Sequence, residues 1–321
     1  MWLQQKPTRR DKPVVANDNK YQINSAAIIG CNWGLVHLGA LRNSNIDVSA
    51  IVDLDLSKAQ HLAKQHNIAH ACNDVQQIPT VDLVIVASPA VTHQALIQHF
   101  QHCAIICEKP LLGLSPSTSD YTWPERLWVN YAFSHLASAR LVDRIVAEQS
   151  QPVHITLSSQ VNLPLKFTLE QWFLETSSHP LSWLLHRFGQ PKQTRKTSDG
   201  QHLSLQLECA NNRIDIDFTL GGELGIFHQI EIAFGTEKLS VEGEYIPGRP
   251  WRFSPVMLNN KPQNQGEFSQ ADCWIEANQR STAMMIEQFR GHLSKAEFVK
   301  LGGFDASKAL WLEQALFSKP N

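Results

Sequence analysis

Along the first third of the chain, apolar residues fall in short solid blocks separated by stretches with helical spacing. Ala26–Gly30 is a short apolar strand, followed by a helix from Trp33 to about Arg42 and a second strand, Val48–Asp53. Leu56–His66 repeats its apolar residues with helical period, with Asp55 or Ser57 as the cap. Val81–Ser88 is apolar throughout, the pattern of a strand buried on both faces. Pro89 opens a helix from about Val91 to Gln101, and Ala104–Cys107 and Leu127–Tyr131 are further strands. Strands and helices alternating at this spacing predict an α/β unit with a parallel, doubly wound sheet.

Beyond residue 131 the pattern changes. Phe133–Glu148 reads as helix, and then alternating segments take over: His154–Gln160, His202–Glu208, Arg213–Leu220, Phe227–Phe234 and Lys238–Glu242. Ile214, Ile216 and Phe218 alternate with Asp215, Asp217 and Thr219, as in a half-exposed antiparallel strand. Helices are expected over Leu181–Phe188 and Asp305–Phe317, the latter capped by Asp305. The organisation expected is a solvated tail over residues 1–20, a nucleotide-type domain over 21–131, and an α+β domain over 132–321. The second domain is built on a large, mainly antiparallel open sheet, and its last helix is free to return to the first domain. Asn259–Gln270 is polar and reads as a loop.

Composition narrows the function classes. A chain of 321 residues, 43% hydrophobic and 18% charged, suits two globular domains. A net charge of −2 carries no footprint for nucleic acid, and no apolar run reaches the roughly 18 residues of a membrane span. Met1–Lys20 is polar and basic, without a signal-peptide core. Six scattered cysteines then imply reduced thiols and a cytoplasmic protein. Cys103 and Cys107 share one apolar strand with no partner pair at zinc spacing, so no metal is expected.

Gly30-Cys31-Asn32-Trp33-Gly34 lies between a strand and a helix, where backbone N–H groups favour a pyrophosphate. The usual G-x-G-x-x-G fingerprint has one residue more and a middle glycine. Asp53 ends the second strand, where a carboxylate accepts both hydrogen bonds of a ribose diol and repels a 2′-phosphate. That favours NAD over NADP, with a helix cap nearly as good a reading of Asp53 taken alone. Lys109 closes the Cys103–Cys107 strand within Cys107-Glu108-Lys109-Pro110 and puts an ammonium at the same end of the sheet. The alternative for Lys109 is a solvated lysine at a strand end.

Ser88-Pro89-Ala90-Val91-Thr92-His93, followed by a helix, a strand and Glu108-Lys109-Pro110, resembles the Gfo/Idh/MocA oxidoreductase family. Asn130-Tyr131, the closing helix and the His179…Gly189 helix fall where that family has them. The resemblance implies a Rossmann domain, an open antiparallel sheet used for dimers or tetramers, and hydride transfer in the cleft between domains. It implies Lys109 as general acid/base, His179 as second proton donor or orienting group, and Glu175 at the position of a family Asp. Gly30, Asn32, Trp33, Gly34, Asp53, Ser88, Pro89, His93 and Glu108 would hold the nucleotide, and Pro110 is often preceded by a cis peptide. The cofactor implied is NAD, with NADP possible, and the substrate a small polar metabolite such as a sugar or cyclitol. Trp172, Arg249 and Trp251 are candidates for lining the cleft. The shortened turn, Trp128-Val129-Asn130 and the Lys238–Trp251 region also resemble thiazolinyl imine reductases of siderophore assembly, which reduce C=N with NADPH. Two further alternatives are a non-catalytic dinucleotide-binding relative and a lyase or epimerase that recycles its cofactor.

Overall fold

The computed structural model of the chain describes residues 22–114, 121–263 and 272–315. The expected tail 1–20, most of the 259–270 loop and the last residues of the closing helix lie outside these. Strands β1 (Ser25–Ile29), β2 (Asp47–Val52), β3 (His70–Cys72), β4 (Leu83–Val86), β5 (Ala104–Glu108) and β6 (Leu127–Asn130) form one sheet, in the order β3-β2-β1-β4-β5-β6. Every pairing in it is parallel. All residues of β4, β5 and β6 are buried, because helices cover both faces. Strand order reverses between β1 and β4, so the crevice of this Rossmann sheet opens at their carboxyl ends, where Gly30 and Ser88 stand.

The helices here are shorter than the periodicity suggested. The first opens as a 3-10 turn, Gly34–His37, before α1 (Leu38–Asn43). α2 (Leu56–His66) is capped by Asp55, whose carboxylate accepts the Lys58 N–H at 3.0 Å, and Asn67 ends it in the left-handed region. α3 (His93–His99) likewise follows a 3-10 turn, Ala90–Thr92. Before α4 (Ala137–Ala147) a separate turn, Ala132–His135, breaks the expected Phe133–Glu148 helix, because Leu136 is extended.

The second sheet is mixed and mostly antiparallel. Its long strands are β7 (His154–Asn162), β8 (Lys192–Ser198), β9 (His202–Cys209), β10 (Asn212–Leu220), β11 (Gly225–Phe234) and β12 (Glu237–Tyr245), in the order β12-β11-β7-β10-β9-β8, with short strands beyond β12. Only β7 and β10 run parallel among these. Ile155, Leu157, Ile214, Ile216 and Phe218 turn inward, where Phe173 of α5 (Leu169–Thr176) meets Phe218 edge-on at 5.6 Å. The outer face is polar and carries ion pairs such as His154–Asp215 and Lys238–Glu231.

Helix α6 (Ser178–Phe188) lies behind this sheet, and α7 (Trp274–Phe289) bridges the two halves. Met285, Ile286 and Phe289 of α7 join the core under β1, β2 and β4. The chain ends through α8 (Lys295–Lys300), α9 (Ala306–Leu310) and a π-helical turn at 311–315, with Asp305 capping α9 as expected. This last segment returns to the parallel sheet, where Val129 N–H donates to Phe304 O at 2.9 Å. No helix among the described residues is long and apolar enough to cross a membrane.

Gly30 has φ +95°, and a Cβ there would stand 2.4 Å from Ala87 O. Gly30→Ala is therefore expected to lower stability by about 2–4 kcal/mol, measured by urea denaturation.

Candidate active site

Lys109 follows the carboxyl end of β5, and the Lys109–Pro110 peptide is cis. Its ammonium is 11% exposed, donates to Glu175 O at 2.6 Å and pairs with Glu175 Oε2 at 3.0 Å. Glu175 is in the last turn of α5, so this contact ties the parallel sheet to the second half of the chain. His179, in the first turn of α6, is 4% exposed. Burial pushes its pKa well below the ordinary value, and the nearby Lys109 and His228 charges act in the same direction. The three residues expected to carry catalysis are thus brought together, with His179 as a neutral imidazole.

Around His179 stands an aromatic chamber. Its ring lies 4.6 Å from that of Trp274, 6.0 Å from Tyr131 and 6.4 Å from Trp251. Trp251 stacks on His228 at 5.5 Å. Ser159 holds His228 through Nδ1 at 2.8 Å, and burial lowers the His228 pKa to about 3. His179 Nδ1, His228 Nε2 and Trp251 Nε1 are buried with no hydrogen-bond partner among the described residues. Orphaned buried polar atoms are rare and costly, and here three of them sit on adjoining rings. Of the other cleft candidates, Trp172 is buried against Phe167 and Arg249 is exposed beside Glu244. Neither is among the chamber rings.

Two buried carboxylates hold the backbone on either side of Lys109. Glu108 Oε1 contacts His37 Nε2 at 2.9 Å and accepts from Asn130 Nδ2 at 2.7 Å. His37 Nδ1 and Asn130 Nδ2 go on to Thr282 and Asn278 of α7. On the other side, Glu313 accepts the backbone N–H groups of Leu111, Leu112 and Gly113 at 2.5, 2.8 and 2.9 Å, and the Tyr131 hydroxyl at 3.0 Å. Burial pushes Glu313 above the usual carboxylate range, against the pull of these donors. Glu313, His37, Asn278, Thr282 and His228 carry no sequence signal: each is an ordinary polar residue within a helix or strand.

The nucleotide residues divide. Gly34 sits under β1, where a Cβ would stand 2.6 Å from Ile28 Cγ2, so both glycines bring the turn down onto the strand ends. Asn32 and Trp33 are exposed at that turn. Asp53 accepts the Cys31 N–H at 3.0 Å and the Asp55 N–H at 3.1 Å, and pairs with Lys58 at 3.1 Å. Lys58 also donates to Asn32 Oδ1. Burial acts to raise the Asp53 pKa, but these donors outweigh it and hold the carboxyl below its usual range. Asp53 thus braces the turn, while Asp55 is the helix cap. Ser88 and exposed Pro89 border the crevice, with Ser88 Oγ 2.6 Å from Thr92 Oγ1. His93 is 1% exposed and spans Ser88 O, Pro110 O and Leu111 O, and Glu108 is 5% exposed. These last two lie beneath the crevice instead of in it. A glycine turn on the strand ends with an ionised carboxylate beside it fits a dinucleotide, whose ribose diol such a carboxylate can accept.

Residues 25–118 match the family model described as an oxidoreductase family with an NAD-binding Rossmann fold. Over that segment the chain is similar to the nucleotide-binding half of the Gfo/Idh/MocA oxidoreductases. An uncharacterised oxidoreductase of Synechocystis sp. is 32% identical over 99 residues, and the scyllo-inositol 2-dehydrogenase (NADP(+)) of Bacillus subtilis 31% over 103. Each match covers 29% of this chain and 26% or 31% of the relative, so the likeness spans less than a third of either protein. A dehydrogenase from Clostridium difficile shares the fold over 91% of this chain and 98% of its own, with TM-score 0.66 and 12% identity. The fold shared with that dehydrogenase therefore extends over both sheets.

The Glu108 carboxyl is held below its ordinary pKa: burial acts to raise it, but His37, Asn130 and Lys109 outweigh burial. Its stabilising effect is full above the unfolded-state value, about 4.3, and is lost as pH falls through the lower folded value. Glu108→Gln is expected to cost about 3–5 kcal/mol at pH 7. In urea denaturation from pH 7 to pH 3, that gap should stay level to about pH 5 and shrink below about pH 4.

Proposed function

We propose that this chain is an NAD(P)-dependent oxidoreductase moving hydride to or from a small polar metabolite, with Lys109 as its proton-transfer residue. The observation that carries this reading is the Lys109 ammonium, 11% exposed, at the crevice end of β5 and in contact with Glu175 beside His179. Bound nicotinamide would supply or accept the hydride. As a substrate carbonyl is reduced, Lys109 donates a proton to the oxygen, and Glu175 steadies the ammonium before and after. His179, uncharged at neutral pH, orients the substrate by hydrogen bonding. Trp251 Nε1 and His228 Nε2 meet further polar groups on it. Glu108, His93 and Glu313 act as braces that set where Lys109 stands.

A cyclic polyol is the first substrate class to test. The Bacillus subtilis relative is named for scyllo-inositol, and an aromatic wall with isolated polar atoms suits a hydroxylated ring. A second reading, reduction of a C=N bond in a planar ring, draws support from the same aromatic chamber and from Lys58 beside Asp53. Six unpaired cysteines fit work in a reducing cytoplasm, and the outer face of the second sheet is proposed to join a homodimer or homotetramer.

With scyllo- or myo-inositol, Lys109→Ala should lose about 10²–10⁴-fold in kcat yet bind NADH as wild type does in calorimetry. Equal turnover in the variant would remove Lys109 from the chemistry. No inositol turnover together with a preference for NADPH would put the C=N reading first.

Asp53 favours a free ribose diol and Lys58 a 2′-phosphate, and they touch. NADH is expected to bind more tightly than NADPH. Asp53→Ala should narrow or reverse that order by about tenfold, and Lys58→Ala should widen it, both read from calorimetric Kd.

A further inference from the structure

A cavity of about 830 Å³ opens among α4, α6, α7 and the end of α8, and Gly30, Asp53, Ser88 and Lys109 are all absent from its lining. It touches the chemistry only through shared helices. His179 lies in the first turn of α6, whereas His186 and Arg187 in the last turn line the cavity, about 10 Å away along the axis. On α7, Asn278 and Thr282 belong to the network of Glu108, while Arg280, Ala283 and Met284 line the cavity.

Its charge is the notable property. Arg140, Arg144, Arg187, Arg280 and Lys300 line it, five of the 28 Lys and Arg of a chain whose net charge is −2. The single carboxylate in the lining, Asp143, already accepts from Trp183 Nε1 at 3.0 Å and lies 3.7 Å from Arg187 Nε. Just outside the lining, Glu276 Oε2 lies 3.7 Å from Arg280 Nη1, so two carboxylates face the five cations and positive charge remains in excess. Arg187 Nε is buried without a hydrogen-bond partner among the described residues. Arg280 is held in place by donation to His135 O at 2.9 Å. His135, in the wall, registers the resulting field: burial first, then Arg140, Arg280 and His186, lower its pKa to about 3.

The cations are mostly guanidinium groups, whose planar forks match phosphate oxygens two at a time. Ala147, Ala283, Met284 and Leu301 supply an apolar part of the lining. The volume falls within the range of small-molecule pockets, about 300–1,000 Å³, and is far larger than a single ion needs. We propose that this cavity binds a phosphorylated small molecule, with its phosphate on the arginine forks and an apolar moiety against Met284 and Leu301, at a site separate from the Lys109 centre.

The test is calorimetric titration of the full chain at low salt with inorganic pyrophosphate and with p-nitrophenyl phosphate, with and without saturating NADH. Expected is one-to-one binding of both probes, unchanged by NADH, and weakened at least tenfold in Arg140→Glu/Arg144→Glu. Arg140→Lys/Arg144→Lys should keep part of the affinity, and NADH binding by each variant reports that it has folded. Displacement of the probes by NADH would assign them to the nucleotide turn and overturn the proposal. So would affinity unchanged in the charge-reversed variant, or no binding at millimolar probe. Binding of polyglutamate in place of both small phosphates would overturn it too, in favour of an acidic protein partner. None of these readouts depends on the reaction at Lys109, so the site and the proposed activity stand or fall separately.

Discussion

A lysine ammonium enclosed at a strand end keeps one position only if the backbone around it is fixed, and in this chain two buried carboxylates provide that hold. Glu108 precedes Lys109 and is anchored through His37 and Asn130. Glu313 reaches from the end of the chain to collect three consecutive N–H groups just after Pro110. Each carboxylate is buried, and a buried charge persists only when hydrogen bonds replace its water. The donors are therefore as constrained as the acceptors. Lys109 stands between two fixed points, and Glu175 closes over it from the other half of the molecule.

The same demand explains α7. A helix that packed purely by hydrophobic contact would show Met285, Ile286 and Phe289 extended into a clean stripe. Its buried face instead interleaves Asn278, Ser281 and Thr282, two of which complete the network of Glu108 and His37. The helix therefore does two jobs, sealing the parallel sheet with its last turns and satisfying a buried acid with its middle. Its opposite side contributes Arg280 to the basic cavity, so one element touches the nucleotide half, the buried network and a charged pocket.

Much of the architecture was legible beforehand because it rests on local periodicity. Solid apolar blocks at Val81–Ser88 and Ala104–Cys107 become strands buried on both faces, and the alternation of Ile214, Ile216 and Phe218 becomes a strand with one face inward. The reading failed where polar residues carry tertiary work. β8, Lys192–Ser198, is a polar edge strand with no inward stripe to betray it, its Lys and Arg residues typical of an unpaired sheet edge. α7 was missed because Asn278, Ser281 and Thr282 interrupt its apolar repeat.

The site divides along the same line. Sequence order by itself determined that Gly30, Asp53, Ser88 and Lys109 would each follow a strand, here β1, β2, β4 and β5, and in a parallel sheet the ends of such strands share one edge. It also marked Glu175 and His179 as companions of Lys109, though only through the likeness of motifs. What only the tertiary structure decided is which polar groups are buried and who satisfies them. Glu313 lies some two hundred residues from Leu111 along the chain, and His228 meets Trp251 across strand and loop. His93 turned from a crevice residue into a brace because its ring is enclosed by carbonyl oxygens. Partnership between distant polar side chains has no period, so no pattern along the chain can announce it; packing alone brings the partners within reach.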